Sequence, residues 1–272
     1  MDNTLDWGLQ VVLWFQHYSS PWLDLPFTTF TLMGEELFYL LVLPGLYWCI
    51  NRHLGARLTL LFLLSAYLNA GAKFIVNQPR PFEYDPRVRQ LATAPGGGLP
   101  SGHAQNAVVV WGYLATQLRR AWAWWLAGLL VIFISLSRLY LGVHFPTDLL
   151  GGHVIGAALL LFFLWLEPAA ETWLKAKGLI WQLGLALVFP TLFALLFPTD
   201  EGITVSAVML GLAVGLVLER HWLGFEVDGP PALAGAAFRP GHRGDDRLVV
   251  RAAPGLCRLG AGKPLSLLFV TV

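Results

Sequence analysis

Residues 121–166, AWAWWLAGLLVIFISLSRLYLGVHFPTDLLGGHVIGAALLLFFLWL, decide the fold. Two apolar runs, 121–143 and 146–166, each approach the roughly 20 residues that a helix needs to cross a ~30 Å hydrocarbon core. His144 and Phe145, ahead of Pro146, make the turn between them. Outward from this hairpin the pattern repeats and predicts further spans at 35–51, 57–77, 101–118, 178–197 and 203–219. Composition agrees: 56% of the 272 residues are hydrophobic and 13% are charged, whereas soluble domains run near a quarter charged. With 18 Lys and Arg against 17 Asp and Glu, the chain cannot assemble the usual water-facing shell of ionic side chains, which points to the bilayer as its solvent. The formal net charge of +1 excludes a strongly basic nucleic-acid binder. Cys49 and Cys257 give neither a disulfide framework nor a zinc spacing, so both devices drop out of the reading.

The expected fold is therefore all-α, a polytopic transmembrane helical bundle with an N-terminal interfacial helix. The first Lys or Arg is Arg52, so no cationic segment of a cleaved secretory signal precedes the first apolar stretch. Residues 5–18 mix Trp7, Trp14 and Phe15 with Asp6, Gln10 and Gln16 before Ser19-Ser20-Pro21 stops the run, and 22–33 is also short. Residues 1–34 are read as lying in or dipping into one interface, 35–228 as the bundle, and 229–272, beyond Pro230-Pro231, as a poorly ordered cytoplasmic tail. The connections are short except for 78–100, QPRPFEYDPRVRQLATAPGGGLP, whose prolines and glycines forbid a helix and whose length suggests function. Arg52, Arg57, Arg119, Arg120, Lys175, Lys177 and Arg220 gather on one face; by the positive-inside rule that face is cytoplasmic and the 78–100 loop faces outward.

Ionisable groups in membrane helices are costly and tend to mark function. Here Lys73, Arg80, His103, Arg138, His144 and Asp148 all fall at the outward ends of their spans. Three cations with two histidines and a carboxylate make a pocket for an anion with several acceptor oxygens. Ser101 is a good helix cap, Gly102 allows close approach to the backbone, and the unpaired N–H groups of that helix start can hold phosphate. Two histidines can divide a reaction between a neutral nucleophile and a protonated donor. Asp148, four residues after His144, can bind the far imidazole nitrogen and fix its tautomer. No acidic cluster suited to magnesium is visible, so phosphoryl transfer without a metal or other cofactor is the expected chemistry.

Lys73-x6-Arg80-Pro81, Pro100-Ser101-Gly102-His103 and Ser137-Arg138-x5-His144-x3-Asp148 together resemble the three-part signature of the type 2 phosphatidic acid phosphatase superfamily, the lipid phosphate phosphatases. The resemblance covers 73–148 and is loose outside it. It implies a helical bundle with its pocket at the outer face of the cell membrane. Lys73, Arg80 and Arg138 would grip phosphate, His144 would attack phosphorus, Asp148 would orient His144, and His103 would protonate the leaving oxygen before water cleaves a phosphohistidine. The implied partners are a lipid phosphate and the surrounding membrane lipids, with no nucleic acid. The family includes bacterial undecaprenyl-diphosphatase-like enzymes, and Arg87 and Arg89 in the outward loop are candidate contacts for a second phosphate or an acidic headgroup.

Other polar residues read as structural. His153, in Gly151-Gly152-His153-x2-Gly156, suits a hydrogen-bonded packing residue on a small-residue face. Asn69, one turn before Lys73, can hydrogen-bond toward the pocket. Glu35 and Glu36 open a span, where the helix dipole suffices to explain them. A transporter would call for paired halves and broken helices near the midplane, neither of which is visible. Vanadate-dependent haloperoxidases share a similar anion pocket but are soluble. A phosphotransferase passing phosphate to an acceptor other than water is the alternative that sequence does not separate from a hydrolase.

Overall fold

A computed structural model describes residues 3–224, 226–228 and 249–251. Ten α-helices follow one another: α1 (Asn3–His17), α2 (Pro21–Leu32), α3 (Glu36–Gly45), α4 (Arg52–Val76), α5 (Pro81–Tyr84), α6 (Gly102–Leu118), α7 (Ala121–Tyr140), α8 (Pro146–Lys175), α9 (Leu179–Leu196) and α10 (Asp200–Leu218). Single π-helical turns extend α3 (Leu46–Ile50) and α10 (Glu219–Leu223). Two three-residue strands, Glu226–Asp228 and Val249–Arg251, pair in parallel beyond the bundle. Apart from that second strand, the tail expected at 229–272 lies outside the described residues.

The helix limits have local causes. α4 begins where the Asn51 side chain accepts from the Leu54 amide at 3.0 Å, and ends at Asn77, whose φ of 44° is a left-handed cap. α10 begins with the same device at Thr199, which accepts from the Gly202 amide at 3.0 Å. α7 stops short of the expected 143 because Gly142, at φ +74°, turns the chain toward α8. α8 runs past the expected 166 to Lys175, through Pro168.

Among the described residues, five helical stretches are long and apolar enough to cross a membrane: Arg52–Tyr84, Ala121–Tyr140, Pro146–Lys175, Leu179–Leu196 and Asp200–Leu223. The expected span at 35–51 is one arm of a longer unit, because α2 and the α3 stretch pass that test only together and are bent by 51° at the break between them. The expected span at 101–118 corresponds to α6, 17 residues long and at the short end of what a crossing needs. Cys49 is disulfide-bonded, which corrects the reading that left bridges out.

The main core joins α3, α4, α6, α8 and α10 through Tyr39, Leu61, Phe62, Val110, Tyr113, Leu160 and Met209. A second cluster at the other end joins α1, the 78–100 loop, α7 and α8 through Leu9, Val12, Val88, Leu139, Phe145 and Leu149. The α6–α8 seam depends on glycine. A Cβ on Gly152 would lie 2.5 Å from the Ser101 carbonyl oxygen, and one on Gly156 would lie 2.7 Å from that of Gln105. α9 buries only Ala186 and Pro190 and leaves Ile180, Trp181 and Leu195 largely exposed, a surface that hydrocarbon covers at no cost.

Candidate active site

Five segments end together at one end of the bundle: α4 with Lys73, the α4–α5 link with Arg80, the start of α6 with Ser101, Gly102 and His103, the last turn of α7 with Arg138, and the α7–α8 turn with His144 leading into Asp148. The centre is His144, buried in the turn. Its Nδ1 lies 3.2 Å from Asp148 Oδ2, which also accepts from the Phe145 amide at 2.8 Å, while Oδ1 accepts from Gln78 Nε2 at 2.7 Å. A carboxylate at Nδ1 requires the hydrogen there, so Nε2 carries the lone pair. Burial, and then the charges of Arg138 and Arg80, hold the His144 imidazole well below its ordinary pKa, so the ring is neutral near pH 7.

Arg80 is fixed before any ligand arrives. Its guanidinium donates to the carbonyls of Gly96 (2.8 Å), Val143 (2.9 Å) and Pro95 (2.7 Å), and Nη1 stands 3.3 Å from His144 Nε2. Three carbonyls and the His144 Nε2 lone pair engage four of the five N–H groups and leave one for the pocket. The bracing carbonyls of Pro95 and Gly96 come from the glycine-rich end of the long loop, which is how that segment is held over the site. Arg138 donates to Thr31 Oγ and lies 3.3 Å from His103 Nε2. Its buried Nε has no partner, and neither has the buried Ser101 Oγ. Such orphaned groups are what an oxygen-rich anion would satisfy.

Each cation or acid also meets a group that sequence reasoning did not assign. Lys73 Nζ lies 3.6 Å from Glu201 Oε1, at the start of α10. His103 Nε2 lies 3.3 Å from Glu35 Oε1. Glu35 is thus more than a carboxylate at a helix start: the α2–α3 break delivers it to the pocket. Gln78, Thr31, Glu35 and Glu201 lie outside the signature positions. Gln78 was within reach of sequence reasoning as a polar residue two before Arg80; the rest depend on tertiary folding.

The candidate residues divide. Lys73, Arg80, Ser101, Gly102, His103, Arg138, His144 and Asp148 come together. Arg87 and Arg89 have partners elsewhere. Arg87 makes a fork to Asp85, with contacts of 2.8 to 3.2 Å, and those hydrogen bonds hold the Asp85 carboxyl below its usual range. Arg89 donates to Ser19 Oγ and to the Gln16 carbonyl, tying the loop to α1. Asn69 faces a neighbouring helix: it donates to Gln105 Oε1 at 2.9 Å and to the Pro100 carbonyl at 3.3 Å, and so supports the Ser101–Gly102 turn from below. His153 Nε2 bonds Ser135 Oγ at 2.8 Å, the packing role its small-residue context suggests.

A family model described as the PAP2 superfamily matches residues 54–171, which enclose every one of the converging residues. Mouse sphingosine-1-phosphate phosphatase 2 is 36% identical over 135 residues, 47% of this chain and 38% of that protein. Phosphatidylglycerophosphatase B of Bacillus subtilis is 32% identical over 158 residues, 53% of this chain and 74% of that protein. The chain spans less than half the length of the eukaryotic relatives it matches. A crystal structure from Bacillus subtilis, described as the first of a transmembrane PAP2-type phosphatidylglycerolphosphate phosphatase, superposes with a TM-score of 0.53 at 24% identity, over 65% of this chain and 89% of its own. With three-quarters of a bacterial relative covered at 32% identity, and the fold shared with a transmembrane member, the chain belongs to the PAP2 superfamily.

Proposed function

We propose that the chain is an integral membrane phosphatase that hydrolyses a lipid phosphate or polyprenyl diphosphate through a phosphohistidine, with no metal. The observation that carries this reading is the state of His144: a neutral ring with Nδ1 on a carboxylate and its Nε2 lone pair beside a braced arginine. In the first step that lone pair attacks phosphorus. The bond from phosphorus to the leaving oxygen breaks, its electron pair stays on that oxygen, and His103 supplies the proton. Asp148 steadies the positive charge that appears on the His144 ring. In the second step water attacks phosphorus and returns a proton to His103, and the P–N electron pair goes back to His144. Lys73, Arg80 and Arg138 supply the charge that would otherwise call for a divalent ion. Among the described residues, no group of three His, Cys, Asp or Glu side chains has metal-holding geometry.

The pocket end lies opposite the end bearing Arg52, Arg57 and Lys175, and the positive-inside rule assigns the latter to the cytoplasm. The site is therefore taken to face outward from a cell membrane. The test is phosphate release from a panel of detergent-solubilised lipid mono- and diphosphates, with and without chelator. Release that survives chelation is expected; no release from any lipid, or release only with added metal, overturns the reading. A single cysteine at Ala94, in a chain with Cys49 and Cys257 replaced, should react with an impermeant maleimide in intact cells. Labelling only after lysis inverts the topology.

A further inference from the structure

We infer that Glu35 is a positioning residue that acts through His103: its carboxylate holds the Nε2 proton that this imidazole delivers to the leaving oxygen. The inference rests on the phosphatase reading above and adds to it a residue outside the signature. Three observations converge on it. The break between α2 and α3, bent by 51°, sets Glu35 Oε1 3.3 Å from His103 Nε2. The adjacent Gly34 lets the break come this close, since a Cβ there would lie 2.4 Å from His103 Cδ2. The Glu35 side chain is 40% exposed against 16% for His103, so the carboxylate reaches from a buried ring to the surface of the bundle.

The charge balance makes such a partner necessary. His103 faces Arg138 from α7, whose Nη1 lies 3.3 Å from the same nitrogen, Lys73 from α4, and His144 from the α7–α8 turn. Burial is the main obstacle to a proton on His103, and the charges of Arg138 and Lys73 add to it. Glu35 opposes them. A carboxylate has only acceptors, so the nitrogen 3.3 Å away must carry the hydrogen, and Arg138 then cannot donate to it. The general acid is the imidazolium, with a hydrogen on each ring nitrogen, and Glu35 favours that charged form and fixes the Nε2 hydrogen beside the pocket. When the leaving oxygen takes that proton, His103 is neutral; water returns the proton in the second step, and Glu35 holds it for the next turnover.

The test compares wild type, Glu35→Gln and Glu35→Asp. Removing the charge should lower kcat about 10-fold or more at pH 7.5 with little change in KM, the share expected of a weakened general acid. The basic limb of the kcat profile should move about one unit toward lower pH in Glu35→Gln and return in Glu35→Asp. Independently of turnover, the 15N ring signals of His103, assigned with His103→Ala, should titrate about one unit lower in Glu35→Gln than in wild type. An unchanged His103 titration, a fall in kcat with the limb in place, or a gain of activity on removing the charge would each overturn the inference. If wild type releases phosphate from no lipid, the phosphatase reading falls, and the His103 titration still decides whether Glu35 holds that proton.

Discussion

The two ends of the bundle contain similar charged residues and use them in opposite ways. At one end Arg57 pairs with Glu167 at 2.8 Å and donates to Glu171, Lys175 reaches the same Glu171, and Arg52 meets Glu219 at 3.4 Å. At the other end, Lys73 meets Glu201 at 3.6 Å, but the two arginines, Arg80 and Arg138, form no direct ion pair among the described residues; carbonyls, a hydroxyl and two imidazoles surround them. A cation neutralised by a carboxylate is a fastening. One braced by neutral dipoles keeps its charge for a ligand, at a desolvation cost that a membrane protein retains only where it has a use. Preset donors of this kind need little reorganisation when charge develops.

The sharpest break of that comparison is at the histidines. His144→Ala and His103→Ala should each reduce phosphate release by about 10³-fold or more while the protein stays monodisperse, since nucleophile and acid act as a unit. Retention of more than about a tenth of activity in either would remove that residue from the chemistry. Next comes Arg138→Lys, for which we expect roughly a 100-fold fall in kcat/KM, because a point charge replaces a planar fork. Arg57→Lys at the opposite end should leave kcat/KM within a few-fold. Equal losses at both ends would erase the distinction.

A subtler consequence is the pH profile. His144 must be neutral to attack, and burial beside Arg138 and Arg80 keeps it neutral to a pH below the ordinary imidazole value of 6.5. The acid limb of kcat/KM should therefore lie below pH 6.5 and move up in Arg80→Gln. A limb at or above 6.5 in wild type would place a different group, or a differently charged pocket, in control.

Much of this was legible in the sequence because the determinants are local. The hairpin of α7 and α8 follows from two apolar runs around His144–Pro146, and the Asp148–His144 contact follows from four-residue spacing at a helix start. What stayed hidden was tertiary. Nothing near Gly34-Glu35 signals that a bend carries a carboxylate to His103, some 70 residues away in sequence. Arg87 and Arg89 looked available because the loop is basic, but the fork to Asp85 and the tie to α1 appear only in three dimensions. The 35–51 run was long enough to read as a span, and only the fold joins it to α2.

At the fastening end, Arg57→Ala should lower stability by about 1–3 kcal/mol, between an exposed ion pair and a buried one, with kcat unchanged. Thermal melts in detergent alongside turnover would show it. A loss of kcat without loss of stability would mean that this end communicates with the pocket.

The smallest effect is expected at Arg87 and Arg89. Arg87 is exposed and already satisfied by Asp85 two residues away, so Arg87→Ala mainly frees a surface carboxylate. Arg89→Ala removes side-chain bonds to Ser19 and the Gln16 carbonyl, but the Arg89 amide still donates to Gln16 Oε1 at 2.9 Å, so α1 remains tethered. Neither change touches the braced arginine or the histidines. The double variant should therefore lose no more than a few-fold of turnover, and equally on a lipid monophosphate and a polyprenyl diphosphate. A selective fall on the diphosphate would mean that one of these side chains leaves its present partner to meet a second phosphate. The loop would then take part in substrate selection as well as holding Arg80 in place.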